Sequence, residues 1–240
     1  MSNEYSLDLA YVHDVGYGDF AKEAGPSLLK LLTPISGNSR IVDLGCGSGI
    51  WARILADSRY EVVGVDISPA MIQIAKQRVP EATFYVQSFV DFVLPECSAV
   101  TALGEVFNYL FDPVSSQEKL EQIFRAVHRA LLSGGLFIFD IAEPNRSSGL
   151  KQAFREGPDW TCLVEYHHDR PRRLLSRRIV TFRNVDGNYR RHEETHLQLL
   201  YPRTEIAALL REIGFHVHIV ETYGNQPFPL GVAGFVARKA

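Results

Sequence analysis

A chain of 240 residues is long enough for one large α/β domain, or for one domain that carries a sizeable insertion. Hydrophobic residues make up 46% of the sequence, which is sufficient for a complete core and argues against extended disorder. The formal net charge of −3 is too small to indicate a protein that binds nucleic acid or a membrane surface.

The three cysteines, Cys46, Cys97 and Cys162, are odd in number and form no CxxC pair. This argues against a disulfide framework or a structural zinc site, and it is typical of a reducing compartment. His167 and His168 are adjacent and would point to opposite faces of a strand, so we expect no metal site. Because neither a signal peptide nor a membrane-length apolar run is seen, we expect a soluble, cytoplasmic protein.

The first 141 residues alternate predicted strands and helices with short connections. A helical region over residues 1–33, stopped by Pro34, precedes the first strand. The elements that follow are strands at 40–44, 61–65, 83–86, 99–103 and 136–141, and helices at 50–58, 68–78 and 115–131. Ser115 and Glu118 form a capping-box pattern at the start of the last helix, and Gly134-Gly135 is expected to end it. This alternation predicts a parallel sheet with helices on both faces.

The alternation stops after Pro144. Residues 160–201 are typical of strands without intervening helices, and Asp186-Gly187 predicts a two-residue hairpin turn. We interpret residues 145–202 as a small inserted antiparallel sheet that forms either a lid or the surface of a homodimer. The α/β pattern then resumes with a helix at 203–213 and strands at 215–222 and 232–237.

A glycine-rich segment, VDLGCGSG at 42–49, lies between the first strand and the next helix. Gly45 and Gly47 permit positive φ angles and let a ligand approach the backbone closely. The next strand ends in Asp66, whose carboxylate can accept hydrogen bonds from both ribose hydroxyls of a nucleoside. Together these features predict a site for an adenosine-containing cofactor; the alternative is a tight turn with a surface aspartate.

The glycine spacing also discriminates between cofactors. It is G-x-G-x-G, and Ile50 stands where a dinucleotide fingerprint has its third glycine. Asp43, directly before the turn, would repel a diphosphate but suits an ammonium or a sulfonium ion. The pattern therefore disfavours a nicotinamide dinucleotide.

Four segments resemble motifs of the class I S-adenosylmethionine-dependent methyltransferases. They are IVDLGCGSG (41–49), VVGVDISPAMI (62–72), VTALGEVFNYL (100–110) and LLSGGLFIFDI (131–141), in the order of that family. The resemblance implies an α/β, Rossmann-like fold with a seven-stranded sheet whose last strand is antiparallel. It further implies one domain over residues 1–240, with an N-terminal helical lid at 1–34, S-adenosylmethionine as cofactor and S-adenosylhomocysteine as product.

The resemblance places a cofactor site at the carboxyl ends of the strands. Its implied members are Asp43, Gly45, Cys46, Gly47, Gly49, Asp66, Ile67, Ser88, Phe89 and Gly104. Gly45 and Gly47 would hold the methionine part, Asp66 the ribose, and Ile67 would flank the adenine. Many family members have an acid after the third strand, whereas this chain has Gln87, Ser88 and Phe89, so Ser88 or backbone groups would contact the adenine.

Four residues are candidates for the catalytic side of the site: Glu105, Tyr109, His196 and Tyr11. Glu105 would orient the cofactor's ammonium or take a proton from the substrate, and Tyr109 would flank the sulfonium through a cation–π contact. Tyr11, with His13 nearby, belongs to a segment expected to close over the cofactor, while His196 lies at the end of the inserted sheet nearest the main domain. For the aromatic residues, ordinary core packing is the alternative.

The predicted function is methyl transfer to a nitrogen or oxygen atom of an unidentified small molecule. Two alternatives stay open at this point: a non-catalytic protein that binds the cofactor, and a nicotinamide-dependent oxidoreductase. The basic run in the inserted sheet is interpreted as a solvated face, with attraction of an acidic substrate as the alternative; it consists of Arg170, Arg172, Arg173, Arg177 and Arg178.

Overall fold

The computed structural model describes residues 5–33, 35, 39–111, 117–225 and 227–240. The helices are α1 (Leu7–Tyr17), α2 (Asp19–Leu32), α3 (Ile50–Asp57), α4 (Pro69–Arg78), α5 (Gln117–Ala130) and α6 (Arg203–Ile213). The strands are β1 (Arg40–Leu44), β2 (Glu61–Asp66), β3 (Thr83–Val86), β4 (Cys97–Ala102), β5 (Leu131–Ala142), β6 (Gln152–Gly157), β7 (Trp160–Asp169), β8 (Leu174–Val185), β9 (Asn188–Leu199), β10 (Phe215–Val220) and β11 (Val232–Lys239). Within these residues, no helix is both long and apolar enough to cross a membrane.

Seven strands form the main sheet in the order β10-β11-β5-β4-β1-β2-β3. Strands β1 to β5 pair in parallel, whereas β11 pairs antiparallel with both β5 and β10. The predicted fold, with its antiparallel last strand, is confirmed. Strands β2 and β3 lie on one side of β1, and the chain then returns to form β4 and β5 on the other side. The connection that leaves β1 and the connection that leaves β4 therefore run in opposite directions across the sheet. A crevice opens at that point of a parallel sheet, outside the carboxyl ends of the strands.

The main sheet is covered by an apolar layer on each face. Towards α5 and α6 the layer is aromatic, with Phe107, Phe124 and Phe139 meeting edge to face or tilted at ring-centroid distances of 5.2 to 5.4 Å. Towards α2, α3 and α4 it contains Leu28 and Leu55, neither of which is exposed. Burial on both faces explains why the central strands have nearly continuous apolar sequences.

The inserted segment forms a separate four-stranded antiparallel sheet in the order β6-β7-β8-β9. The predicted hairpin turn is confirmed: Asp186 and Gly187 both have positive φ angles (52° and 81°), as a type I′ turn requires. Pairing runs along the whole hairpin, from Val185 opposite Asn188 to Leu174 opposite Leu199. Its first strand, β6, lies entirely before residues 160–201, the range over which strands were predicted.

Helix α1 lies between the inserted sheet and the main domain. On one side Asp8 forms ion pairs with Arg183 (3.1 Å) and Arg190 (2.5 Å) of the inserted sheet. On the other side Asp14 pairs with Arg78 of α4 at 2.9 Å. The N-terminal helix is therefore anchored to both bodies that border the crevice.

The predicted end of α5 is wrong. The helix stops at Ala130, and Gly134-Gly135 lies inside β5, which already begins at Leu131. Leu131 pairs with Cys97 and Leu136 pairs with Ala99, so the glycines form an irregularity in the register of β4 and β5. The proposed cap Ser115 lies outside the described residues.

Replacement of Phe124 tests the aromatic layer. Its side chain is 0% exposed and contacts Phe107, Phe137 and Phe139, so Phe124→Ala leaves a cavity that surrounding rings cannot fill. We expect a loss of about 3–5 kcal/mol in the free energy of unfolding, measured by urea denaturation. Leu132→Ala, at a side chain that is 44% exposed, is the control. Equal losses in the two variants would contradict this account of the core.

Candidate functional site

The glycine-rich turn after β1 holds its backbone towards the crevice. The amides of Gly45 and Cys46 donate to the carbonyl oxygen of Val65 at 2.7 and 3.0 Å, which fixes the turn against β2. Gly45 has φ 67°, and a Cβ there would lie 2.6 Å from Val106. Gly47 has φ 52°, and a Cβ there would meet no atom of the described residues within 4 Å. The backbone of Gly47 therefore faces open space that a ligand can fill.

Asp66 links this turn to the next helix. Its Oδ2 accepts the amide hydrogen of Gly47 at 2.9 Å, and its Oδ1 accepts that of Ser68 at 2.8 Å. Burial raises the pKa of Asp66, although these two backbone hydrogen bonds counteract the shift. Each carboxylate oxygen keeps a further lone pair, so the group can still accept hydrogen bonds from a ligand's vicinal hydroxyls.

A cavity of about 490 Å³ occupies the crevice and extends beneath α1 and the inserted sheet. We call its side near the glycine turn and Asp66 the cofactor half, and its side beneath α1 and the inserted sheet the acceptor half. The predicted cofactor residues that line it are Asp43, Gly45, Cys46, Gly47, Asp66, Ile67, Ser88, Phe89 and Gly104. Gly49 is the exception: it precedes α3, and a Cβ there would come within 3.0 Å of Ala75. Its role is close packing of α3 on α4, and the expectation that it binds cofactor is corrected.

Asp43 lies at the bottom of the cofactor half and is 3% exposed. Its Oδ1 accepts the hydroxyl hydrogen of Thr101 at 2.7 Å. Burial raises the pKa of Asp43 to about 7, because the hydrogen bond from Thr101 only partly offsets the desolvation. A cationic ligand group would favour the ionised carboxylate here.

The loop after β4 is held in an unusual conformation. Gly104 (φ 94°) and Glu105 (φ 62°) both have positive φ angles, which are strained for a glutamate. The carboxylate of Asp140 in β5 accepts both of their amide hydrogens, at 3.0 Å and 2.6 Å. Burial raises the pKa of Asp140 to about 7 against these hydrogen bonds. Asp140 was not among the predicted site residues, although it lines the cavity.

Glu105 is enclosed by cationic and amide groups. Its oxygens accept hydrogen bonds from Arg146 (2.5 Å), Arg177 (2.6 Å) and Gln198 (2.9 Å). Burial alone would raise the pKa of Glu105, but the guanidinium groups of Arg177 and Arg146 and the Gln198 amide lower it to about 2. So weakly basic a carboxylate is a poor proton acceptor, which argues against the expected role of Glu105 as a base and leaves its role in orienting the cofactor's ammonium as a prediction.

Arg177 is the site residue that the sequence interpretation placed wrongly. Its side chain is 15% exposed and lines the cavity, rather than lying on a solvated face. Strand alternation contained the signal: Arg177 stands opposite His196 in the β8–β9 ladder, and paired residues share one face of a sheet. The buried His196 therefore marks the face that carries Arg177.

Tyr109 lines the acceptor half and is joined to its neighbours through its hydroxyl. The oxygen accepts a hydrogen bond from Arg177 at 3.1 Å and lies 3.5 Å from the hydroxyl of Tyr5. Its ring stacks on Phe111 at 4.7 Å. Tyr5 also lines the cavity and was not predicted.

His196 supports this wall from behind and does not line the cavity. It is 1% exposed, its ring centroid lies 4.9 Å from those of Tyr5 and Phe111, and its Nε2 is 3.0 Å from Glu194. The expectation that His196 reaches the substrate is corrected, because these aromatic rings stand between.

Tyr11 also lies elsewhere than expected. Its hydroxyl donates to Asp159 at 2.9 Å, and the guanidinium of Arg183 lies 3.6 Å from its ring centroid. These contacts attach α1 to the inserted sheet. The α1 residues that line the cavity are His13 and Tyr17, so the expected aromatic closure comes from those positions and not from Tyr11.

Residues 192–196 read HEETH, which matches the HExxH spacing of helical zinc sites. Here the segment lies on strand β9, where four residues span about 13 Å, so the two imidazoles cannot share one ion. Among the described residues, no group of three or more potential ligands could hold a metal ion.

Comparison with known proteins agrees with this architecture. A family model described as a methyltransferase domain matches residues 17–220. A Geobacillus sp. (strain WCH70) protein named as a methyltransferase is 29% identical over 75% of each chain. The dTDP-3-amino-3,6-dideoxy-alpha-D-glucopyranose N,N-dimethyltransferase of Streptomyces fradiae is 26% identical over 90% of this chain and 87% of its own.

Among solved structures, an S-adenosylmethionine-dependent methyltransferase from Clostridium acetobutylicum superposes with a TM-score of 0.81 at 19% identity. The match covers 96% of this chain and 97% of that one. The cofactor is therefore S-adenosylmethionine, and the alternative of a nicotinamide-dependent oxidoreductase is wrong.

The cofactor half fits this molecule chemically. Asp66 offers free carboxylate lone pairs for the two ribose hydroxyls, and the open face of Gly47 accommodates the methionine part. Asp43, whose ionised form is disfavoured by burial, gains a counter-ion from a cationic ligand.

Substitution of Asp66 tests the cofactor half. Asp66→Asn removes the charge that strengthens the ribose hydrogen bonds, and such bonds contribute about 1.5–3 kcal/mol. We expect the affinity for S-adenosylmethionine, measured by calorimetry, to fall roughly 10- to 100-fold. Asp57→Asn, at a carboxylate whose side chain is 66% exposed on α3, is the matched control. Unchanged affinity in Asp66→Asn would exclude the proposed ribose contact.

The lowered pKa of Glu105 predicts that the free energy of unfolding depends on pH. Its folded pKa of about 2 lies below its ordinary value of 4.5, so its contribution is complete above pH 4.5 and is lost as the pH falls towards 2. A shift of this size corresponds to about 3 kcal/mol.

We therefore expect wild type to exceed Glu105→Gln in free energy of unfolding at pH 7, with the difference shrinking as the pH falls below 4.5. Urea denaturation at pH 7, 5 and 3.5 provides the measurement. A difference that stays constant across this range would show that Glu105 has no depressed pKa.

Proposed function

We propose that this chain, which belongs to the class I S-adenosylmethionine-dependent methyltransferases, methylates an amine nitrogen of a small molecule. The observation that carries the proposal is the state of Glu105, the carboxylate that projects into the acceptor half. Two guanidinium groups hold it as a weakly basic anion. An alcohol must lose its proton to a base to become a strong nucleophile, whereas a neutral amine already has a reactive lone pair.

When bound, S-adenosylmethionine would supply an electrophilic methyl group on a sulfonium. The acceptor nitrogen would form the N–C bond as the C–S bond breaks with its electron pair kept by sulfur, and the nitrogen would then lose a proton to solvent. The residues of the chain contribute alignment and exclusion of water, and orientation alone can lower a barrier by about 7–11 kcal/mol. Tyr5, Tyr17 and Tyr109 form the aromatic part of the wall that serves this purpose.

The Streptomyces fradiae relative supports an amine acceptor, because its name describes N,N-dimethylation of an amino sugar. The likeness extends over 90% of this chain and 87% of the relative. We take an amino sugar as the first class of acceptor to test.

We also propose that residues 1–34 act as a lid. The supporting contact is at Arg78, which pairs with Asp14 of α1 and donates a short hydrogen bond to the carbonyl of Ser48 in the glycine turn. Displacement of α1 would break this connection and open the cavity.

The outer face of the inserted sheet is proposed as a homodimer surface. Phe154 and Leu163 are directly paired on β6 and β7, and they are 70% and 42% exposed. Neighbouring apolar side chains left in water are typical of protein–protein contacts.

The decisive experiment compares amines with matched alcohols. Purified protein is incubated with S-adenosylmethionine and a panel of 3-amino- and 4-amino-hexoses, free and dTDP-linked, each beside its hydroxyl counterpart. Mass spectrometry measures the methylated product and S-adenosylhomocysteine. We expect the amine of a pair to be methylated and its hydroxyl counterpart to be inert. Methylation of the hydroxyl counterparts alone would overturn the amine assignment, and Asp66→Asn is the control for cofactor dependence.

A further inference from the structure

The backbone on either side of Tyr109 is fixed by hydrogen bonds. Asn108, which is 0% exposed, binds the backbone of Ala142 twice: its Nδ2 donates to the carbonyl oxygen at 2.9 Å, and its Oδ1 accepts the amide hydrogen at 2.8 Å. The amide of Leu110 donates to the carbonyl oxygen of Leu197 in β9 at 2.9 Å. Tyr109 is therefore anchored to the main sheet through one neighbour and to the inserted sheet through the other.

The segment that ends in Tyr109 runs from the cofactor half to the acceptor half. Gly104, at its start, lines the cavity, and a side-chain atom of Val106 lies 2.6 Å from where a Cβ on Gly45 would stand. At its end, Tyr109 contacts Arg177 of the inserted sheet. Tyr109 therefore lies where the two halves meet, and the methyl donor and its acceptor must approach each other there.

The hydroxyl of Tyr109 has hydrogen-bonding capacity that the protein leaves unused. A phenol offers one O–H donor and two lone pairs. One lone pair accepts from Arg177 at 3.1 Å, and the O–H can be donated to the hydroxyl of Tyr5 at 3.5 Å. Because Tyr109 is only partly buried and lines the cavity, its second lone pair is open to a ligand.

The ring of Tyr109 is held by its neighbours. It stacks on Phe111 at a centroid distance of 4.7 Å, and Cζ of Arg177 lies 5.8 Å from its centroid. These contacts hold the side chain in one rotamer. The hydroxyl is therefore in place before a ligand arrives, and little conformational freedom is lost on binding.

An amine acceptor needs hydrogen-bond acceptors in this cavity. A primary amine has one lone pair, which must face the methyl group, and two N–H groups, which need partners once water is excluded. Oε2 of Glu105 is occupied by Arg177 and Gln198. Oε1 accepts from Arg146, keeps one lone pair and can serve at most one N–H. A further acceptor is required, and Tyr109 supplies one beside Glu105, because Arg177 donates to both side chains.

We propose that Tyr109 is a catalytic residue whose hydroxyl oxygen accepts a hydrogen bond from an N–H group of the acceptor amine. This hydrogen bond turns the nitrogen lone pair towards the methyl group. The inference rests on the proposed amine acceptor and names a group that recognises it. Tyr109 moves no proton in this role, and Arg177, which donates to the same oxygen, is the positioning residue behind it.

The binding test does not require a known acceptor. The probe is an S-adenosylhomocysteine analogue in which a carbon bearing an amino group replaces the sulfur, so that N–H donors stand at the position of the transferred methyl group. S-adenosylhomocysteine, which has no donor there, is the reference ligand. Calorimetry gives both dissociation constants for wild type, for Tyr109→Phe, which lacks only the hydroxyl, and for Tyr189→Phe, the same change at a side chain that is 69% exposed.

We expect Tyr109→Phe to weaken binding of the amino analogue about tenfold, the effect of one lost hydrogen bond to a charged donor, and to leave S-adenosylhomocysteine within about twofold. Tyr189→Phe should bind both ligands as wild type does. Unchanged affinity of Tyr109→Phe for the analogue would overturn the proposal. An equal loss for both ligands would also overturn it, because the hydroxyl would then support the cavity through Arg177 without contacting the amine.

The amine acceptor and the Tyr109 contact fail separately. If the amino-hexose panel shows methylation of hydroxyl groups alone while the analogue still depends on Tyr109, the amine assignment fails, although the hydroxyl accepts from a donor at the transfer position. If amines are methylated and the analogue binds equally to all three proteins, the Tyr109 contact fails and the amine assignment stands. For the best amine of the panel, we expect Tyr109→Phe to lower kcat about tenfold without changing the affinity for S-adenosylmethionine.

Discussion

The buried carboxylate of Glu105 is the interaction on which the shape of the site depends. Its partners come from separate parts of the chain: Arg146 from the loop after β5, Arg177 from β8 and Gln198 from β9. A buried charge that loses a partner costs about 3–5 kcal/mol, so the inserted sheet cannot shift against the main sheet without a large penalty. Electrostatic interactions as well as apolar packing therefore fix the wall of the acceptor half. The Glu105 carboxylate, which makes these interactions, is unsuitable as a base.

The cofactor half depends on two aspartates that bind backbone rather than side chains. Asp66 accepts the amide of Gly47, and Asp140 accepts those of Gly104 and Glu105. In both cases a carboxylate on one strand holds the loop that follows another strand. These contacts keep residues with positive φ angles in place at the edge of the sheet, and they explain how a strained residue such as Glu105 can point into the cavity.

Local sequence patterns were sufficient for the elements and for most of the cofactor half. The ranges of β1, β3 and α6 follow from apolar runs and their flanking glycines or prolines, and the Asp186-Gly187 turn follows from its own backbone requirement. Patterns failed where the outcome depends on distant partners. The Gly134-Gly135 pair looked like a helix end, but its conformation is decided by the register of β5 against β4. Arg177 looked solvated because its partners, Glu105 and Tyr109, lie far away in sequence.

The two halves of the cavity therefore differ in how their specificity arises. The cofactor half is made from strand ends and backbone amides, which respond little to the identity of most side chains. The acceptor half is made from side chains of α1, β8 and the segment before β6, among them His13, Arg177 and Arg146. These segments are joined by ion pairs such as that of Asp8 with Arg183, so α1 and the inserted sheet form one continuous wall. A change of acceptor thus requires substitutions among the side chains of the acceptor half, while the backbone that surrounds the methyl donor is left intact.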